Sequence, residues 1–388
     1  MCTIIRFNNK PDLDICSRIK GKYDLEALPM KVLALDIGAG TEDVLLFDSQ
    51  KKNIENCIKL VLPSPSTVFA VRVKEATHLR RNVFVKGEII GGGAFSNALK
   101  EHVEKGLRAI ITEKAAYTVR NDLDEVRQLG IEVVKDENEP EGFHGETLTI
   151  EEINIEQLQT FLTGFGETFS DIDVVAIAVQ DHGVFPKGTS NRKFRIQKIR
   201  ELLKENPKPE NLAFTEEEIP PCFLRMKSAA EASRRQLPNA EVLLMDTAPD
   251  AILGCIKDPA VEKSDPVLAV NLGNGHTMAA IISQGEIIGV LEHHTRLLTP
   301  QKIERLLVDL ANGELTDEQV FKDNGHGLFF LREPPGYFRI QKIAATGPNR
   351  SLLSDTKLPI HFASPAGDVM MTGPVGLVYA AKRKLKLL

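Results

Sequence analysis

No uninterrupted apolar run approaches the ~18 residues that a membrane-crossing helix needs, so no transmembrane segment is expected. The opening MCTIIRFNNKPDLD has no basic flank ahead of an apolar core and does not read as a secretory signal. Cysteine is sparse and scattered: Cys2, Cys16, Cys57, Cys222 and Cys255 contain no CxxC pair. That spacing argues against a disulfide framework and suits a reducing cytoplasm, which is the expected location. No HxxxH spacing marks a zinc-binding helix. Charge of one sign is also lacking. With 48 Lys+Arg against 54 Asp+Glu, the net charge of -6 gives no global attraction to nucleic acid or anionic membrane, and neither partner is expected.

What is present is a soluble-globular composition over 388 residues, 42% hydrophobic and 26% charged. Residues 1–30 mix polar residues with Pro11 and Pro29 and read as an N-terminal extension. Val32–Leu35 is an apolar run of the kind buried on both faces, and a second strand follows at Val44–Phe47. Further strands are expected at 58–62, 83–90, 108–112, 131–134 and, most clearly, at Val174–Val179. Helices are expected between them, at 68–81, 95–105, 123–129 and 155–165. The acidic stretch 135–147, with Pro140 and Gly142, reads as a surface loop. Alternating strands and helices favour an α/β layer fold.

The informative feature is a repeat. LALDIGAGTEDVLLFD (33–48) and LAVNLGNGHTMAAII (268–282) each carry an apolar strand, an Asp or Asn at its end, two glycines, a Thr shortly after, and another apolar strand. The chain therefore divides into two related α/β halves, 31–240 (including a helical connection near 180–240) and 241–388, and duplicated halves commonly enclose a ligand cleft. Glycine hairpins at strand ends let backbone N–H groups approach an anion, and two facing hairpins could clamp a polyphosphate with Mg²⁺.

The pair DIGAGT and NLGNGHT resembles the phosphate-1 and phosphate-2 motifs of the actin, Hsp70 and sugar-kinase superfamily. AATGPNRSLL (344–353) is similar to its adenosine motif; VVAIAVQDHG (174–183) and GDVMMTGPVGLVYAA (367–381) are similar to its two connecting elements. More narrowly, TGPNR, GDVMMTGPVGL and the GHG at 325–327 resemble a prokaryotic family whose members carry names likening them to pyruvate formate-lyase-activating enzyme. The absence of a CxxxCxxC motif argues against reading that name as radical chemistry. The resemblance implies two duplicated ribonuclease H-like lobes, the actin-like ATPase fold, with ATP or ADP and Mg²⁺ in an interlobe cleft. It implies an ATPase or a phosphotransferase acting on a small acceptor. A nucleotide-gated switch with little turnover and a protein gripping a different anion are the alternatives.

On that resemblance Gly38, Gly40, Thr41, Gly273, Gly275, His276, Thr277 and Gly347 are the nucleotide-binding candidates, and Asp36 is the metal candidate through water. Asn271 stands where the superfamily usually has Asp, so the metal dependence should fall on Asp36. Asp246 and Asp250, in DTAPDAILG, are candidate general bases, and equally serve as a strand end and a helix cap. Asp181 and His182 follow the cleanest strand, whose carboxyl end should face a crevice. His276, His293, His294 and His326 fall in expected turns and strand ends rather than on helix faces. Gly91-Gly92-Gly93 is expected to correspond, by pseudosymmetry, to the adenosine turn of the second half.

Overall fold

The computed structural model describes residues 29–385; the extension with Cys2 and Cys16 lies almost wholly outside the described residues. β1 (Lys31–Ile37), β2 (Thr41–Asp48) and β3 (Ile58–Pro63) form an antiparallel meander. An insertion then builds a separate parallel sheet from β4 (Asn82–Gly87), β5 (Ala109–Thr112), β6 (Glu132–Val134) and β7 (Gly145–Ile150), with its own core around Val83, Phe95 and Ile111. The first sheet resumes with β8 (Val174–Val179), which pairs in parallel with β1. It is completed by β9 (Phe214–Thr215) and β10 (Glu241–Met245), in the order β3-β2-β1-β8-β10-β9.

The second lobe repeats the plan. β11 (Val267–Leu272), β12 (His276–Ser283) and β13 (Glu286–His294) form the meander, and β14 (Gly327–Phe330) adds an outer strand. β15 (Lys342–Thr346) pairs in parallel with β11, and β16 (Ile360–Phe362) follows, in the order β14-β13-β12-β11-β15-β16. A three-strand meander whose first strand then takes a parallel neighbour, occurring twice, is the duplicated ribonuclease H-like arrangement of the actin-like ATPase fold. Among the described residues no helix is long and apolar enough to cross a membrane.

Side-chain alternation assigns the faces of each sheet. Leu33, Leu35, Ile37, Val175, Ile177 and Val179 pack on the outer face of the first sheet, and Leu268, Val270, Leu272 and Ile281 on that of the second. The inner faces are lined by small residues, Ala34, Ala176 and Ala178 in one lobe and Ala269, Ala280 and Ala344 in the other, which share one continuous core. Small side chains there admit two helices. The helix Thr247–Cys255 leaves β10 of the first sheet and packs on β11 and β12 of the second. The helix Thr372–Lys384 leaves the second lobe and packs on β1 and β8 of the first. These are the elements that cross between the lobes.

Four expectations are corrected. Residues 174–179 are a central strand of the first sheet, and the first crossing element is the helix Thr247–Cys255. Glu241–Met245 pairs with β8, so the first sheet extends past the expected boundary at 240. Gly91-Gly92-Gly93 belongs to the inserted sheet, and the counterpart of the turn after β15 is the turn after β8. The segment 135–147 is a loop only as far as 144, because Gly145 begins β7, whose half-buried Glu146 and Thr147 hid the strand.

The crossing helices touch backbone to backbone. A methyl group at Gly254 would run into the Thr372 carbonyl, and one at Gly376 into the Asp250 carbonyl. Gly254→Ala should therefore destabilise by about 1–3 kcal/mol or more, as overpacking does. A guanidinium unfolding midpoint indistinguishable from that of the parent would show that the helices can separate freely.

Candidate functional site

The two hairpins between β1 and β2 and between β11 and β12 have matching hydrogen bonds. Gly38 N donates to Thr41 O and Gly273 N to His276 O, both at 2.9 Å. Ser64 N donates to Gly40 O at 3.2 Å, and Thr295 N to Gly275 O at 3.1 Å. The strand register makes Asp36 equivalent to Asn271, Gly38 to Gly273, Gly40 to Gly275, and Thr41 to His276. Thr277 is thus the counterpart of Glu42 and not of Thr41. It is fully buried, and its hydroxyl is 3.0 Å from that of Thr295, which donates to Gly273 O. Thr277 braces the hairpin from inside and does not reach the cleft. The one-residue difference in Thr spacing between the repeats already carried this.

Both hairpins line an interlobe cleft enclosing about 660 Å³ of space open to solvent. Gly38, Thr41, Gly273, Gly275, His276 and the turn Thr346-Gly347-Pro348 border it, with Asp36, Asp43 and Gln180. Gly347 needs its glycine: its φ is +97°, and an added Cβ would meet Asn271 Oδ1 at 2.7 Å. At the tips the hairpins abut, since a Cβ on Gly40 would stand 2.5 Å from Asn274 Nδ2.

Carboxylates gather under the cleft. Asp36 Oδ1, Asp43 Oδ1 and Asp250 Oδ2 are buried with no hydrogen-bond partner among the described residues. Asp36 and Asp43 are cross-strand partners, and the start of the helix Thr372–Lys384 fits between Asp36 and Asp250 at Gly373. Burial, reinforced by the Asp43 and Asp246 charges, pushes Asp36 well above the usual carboxylate range. Burial and then the charge of Asp36 do the same to Asp250, and Asp43 is raised to about 7, again chiefly by burial. Unpartnered carboxylate oxygens that repel one another fit a divalent cation. Among the described residues they do not converge as a direct ligand set, so they suit a hydrated ion of the Mg²⁺ kind, which keeps several waters.

Asp246 and Asp181 are fully committed elsewhere. Asp246 takes Arg195 Nη1 at 2.6 Å and Nη2 at 2.9 Å, caps its helix through Ala248 N at 3.2 Å, and accepts Asp181 N at 3.3 Å. The same guanidinium donates through Nε to both oxygens of Glu292, at 3.0 and 2.9 Å. Burial opposes the charge on Arg195, but the two carboxylates more than offset it and hold the group cationic. Asp181 accepts from Gly183 N, Arg225 N and Met226 N. Of the carboxylates named from sequence for base chemistry, only Asp250 keeps an open buried oxygen. Asp43 joins it, and sequence reasoning missed Asp43 because nothing in TEDV marks it; the cross-strand register with Asp36 does.

The histidines also assemble. His182, on the turn after β8, meets His276 of β12 and His326, in the turn before β14. Ring centroids are 5.5 Å apart for His182–His276, 5.6 Å for His182–His326 and 4.7 Å for His276–His326. His326 is 1% exposed, so its glycine flanks serve close packing rather than mobility; a Cβ on Gly325 would meet Val320 and His293. His293 is buried and sits 3.3 Å from Asp323, away from the cluster, whereas the His294 ring is 4.8 Å from that of His326.

A family model described as "Putative pyruvate format-lyase activating enzyme (DUF1786)" matches residues 90–352, well over half of the chain. No curated protein matches the sequence. Among solved structures, the Lmo2764 protein from Listeria monocytogenes is 13% identical, with 92% of this chain and 100% of that chain covered and a TM-score of 0.34. A ROK hexokinase from Thermus thermophilus is 13% identical over 92% and 99%, with a TM-score of 0.33. The ethanolamine utilization protein EutJ from Carboxydothermus hydrogenoformans is 9% identical over 90% and 89%, with a TM-score of 0.31. Likeness at that level carries no argument; the fold stands on the strand order.

Replacing Arg195 with Met would leave Asp246 and Glu292 buried without a counter-charge. Breaking a buried pair in this way costs about 3–5 kcal/mol. Arg195→Met should therefore lower the denaturation midpoint sharply, and a parent-like midpoint would mean that water reaches both carboxylates.

Proposed function

This chain belongs to the DUF1786 family, and we propose that its interlobe cleft binds ATP or ADP with Mg²⁺ and supports phosphoryl transfer, to water or to a small acceptor. The observation that carries this reading is the juxtaposition of two equivalent glycine hairpins over three carboxylates with open, buried oxygens. Backbone amides at 39–40 and 274–275, beyond the Gly38 and Gly273 amides that close the turns, would face the polyphosphate, Thr41 would add a hydroxyl, and Gly347 would border the nucleoside. Asp36 and Asp43 would hold the hydrated cation, whose charge would offset that of the phosphates. Asp250 is the candidate general base: its open Oδ2 lies buried behind Asp36 and Gly373, beneath the cleft lining, and burial raises its affinity for a proton.

The nucleotide-gated switch keeps two specific observations in its favour. With Asn274 against Gly40 the hairpin tips meet, so a ligand between them requires the lobes to part. Asn271 bears no charge with which to share the cation.

Gly275 has open space where a side chain would start, so Gly275→Val should fold normally and abolish nucleotide binding measured calorimetrically. Unchanged ATP affinity in that variant defeats the reading. Asp36→Asn should weaken Mg-nucleotide binding more than binding of the free nucleotide; an equal loss in both would remove Asp36 from the metal.

Loss of a general base typically lowers rate by 10²–10⁴-fold, so Asp250→Asn should cost about that in turnover while ATP affinity persists. Asp246→Asn should instead destabilise the fold, because both of its oxygens serve Arg195. Slow hydrolysis indifferent to Asp250→Asn, together with a nucleotide-dependent change in small-angle scattering, would favour the switch.

A further inference from the structure

We propose that His182, His276 and His326 form a second metal site, bridging the lobes and selective for a borderline divalent transition-metal ion such as zinc, cobalt or ferrous iron rather than Mg²⁺. One ring nitrogen from each of the three lies within 4.8 Å of the others, the only such convergence of His, Cys, Asp or Glu among the described residues. His182 Nε2, His276 Nε2 and both ring nitrogens of His326 are buried without a hydrogen-bond partner among those residues. Four orphaned nitrogens at one point are a costly arrangement for a core, since each unpaired buried polar group costs about 1–3 kcal/mol. A metal ion resolves all three rings at once.

The surroundings are those of a ligand set. Imidazole nitrogen suits zinc and its first-row neighbours, whereas Mg²⁺ takes oxygen. Burial keeps His182 and His276 neutral, as ligands must be. Two of the rings also have a polar neighbour on their far side. His276 Nδ1 is 2.8 Å from the Gln180 side-chain amide, which can turn its oxygen to that nitrogen and leave Nε2 for the metal. Glu292 Oε2 lies 3.3 Å from His326 Nδ1, close enough for its charge to favour a cation at the cluster although the two do not make an aligned hydrogen bond.

His182 sits on a turn whose backbone is held on both sides: Gln180 O accepts from Arg225 at 2.9 Å and Asp181 O from Arg195 at 3.2 Å. Tetrahedral zinc with Zn–N bonds near 2.0–2.1 Å sets its ligand nitrogens roughly 3.3–3.4 Å apart, so the rings need to draw in by about an ångström. Three protein ligands leave a fourth position for water or substrate, and His276 borders the cleft.

The test uses the chain without a histidine tag, stripped with a chelator and titrated with Co²⁺ and then Zn²⁺. Expected are one high-affinity ion per chain, visible d–d absorption with Co²⁺, displacement by Zn²⁺ but not by excess Mg²⁺, and a raised thermal midpoint. His182→Ala and His276→Ala, on opposite lobes, should each weaken binding by more than the roughly 10–100-fold that loss of an outer-shell partner costs. Asp36→Asn should leave Co²⁺ binding intact, which separates this site from the one beneath the hairpins. The proposal is overturned if the parent chain binds no Co²⁺, or if both histidine variants, folded by circular dichroism, bind it as the parent does.

Discussion

Arg195 faces two carboxylates that come from different lobes, Asp246 at the end of β10 and Glu292 on β13. Its third attachment, to the Asp181 carbonyl, ties in the turn after β8. One buried guanidinium therefore fixes three strands of two sheets relative to one another. Buried ion pairs of this kind add little net stability over well-packed apolar residues, because desolvation offsets the attraction. What Arg195 supplies is position. It neutralises Asp246 and Glu292, the latter beside His326, takes Asp246 out of contention for chemistry, and leaves Asp36 and Asp43, which border the cleft, and the buried Asp250 behind them without a cationic partner.

The crossing helices impose the complementary constraint. Alanine-lined inner faces and paired glycines let the helices Thr247–Cys255 and Thr372–Lys384 approach at backbone distance. That contact sets Gly373 against Asp36 and Asp250. The acidic floor of the cleft is thus made where the two lobes exchange helices, and not within either lobe alone. A change in the angle between lobes must act on this spot first.

Much of this was legible in the sequence, for a specific reason. The strands Val174–Val179 and Glu241–Met245 and the two glycine hairpins are signalled by short, continuous apolar runs ending in turn residues, and these signals are local. The duplication follows from comparing two such local signals. What failed was of two kinds. The inserted parallel sheet looks the same as more of the first lobe, because its strands have the same composition and only pairing separates them. The Thr277 reading failed by one residue, and a slip of one along a strand turns a side chain from the cleft to the core. The histidine trio was out of reach altogether: positions 182, 276 and 326 share no spacing, and only the register of β12 and the turns after β8 and before β14 bring them together.

The same register has a consequence for how the two ends of the cleft relate. The second hairpin departs from the first by carrying His276 where the first carries Thr41. His276 borders the cleft and also belongs to the histidine trio, while Gln180, its hydrogen-bond partner, belongs to the opposite lobe and borders the cleft as well. Parting the hairpins enough to separate Gly40 from Asn274 must therefore pull His276 away from Gln180 and His182. An ion held by both lobes would oppose that movement, and a ligand that wedges the tips apart would weaken such an ion's hold, by the same free energy in each direction. Replacing a hydroxyl with an imidazole at one hairpin position thus couples the oxygen-lined and nitrogen-lined ends of a single cleft.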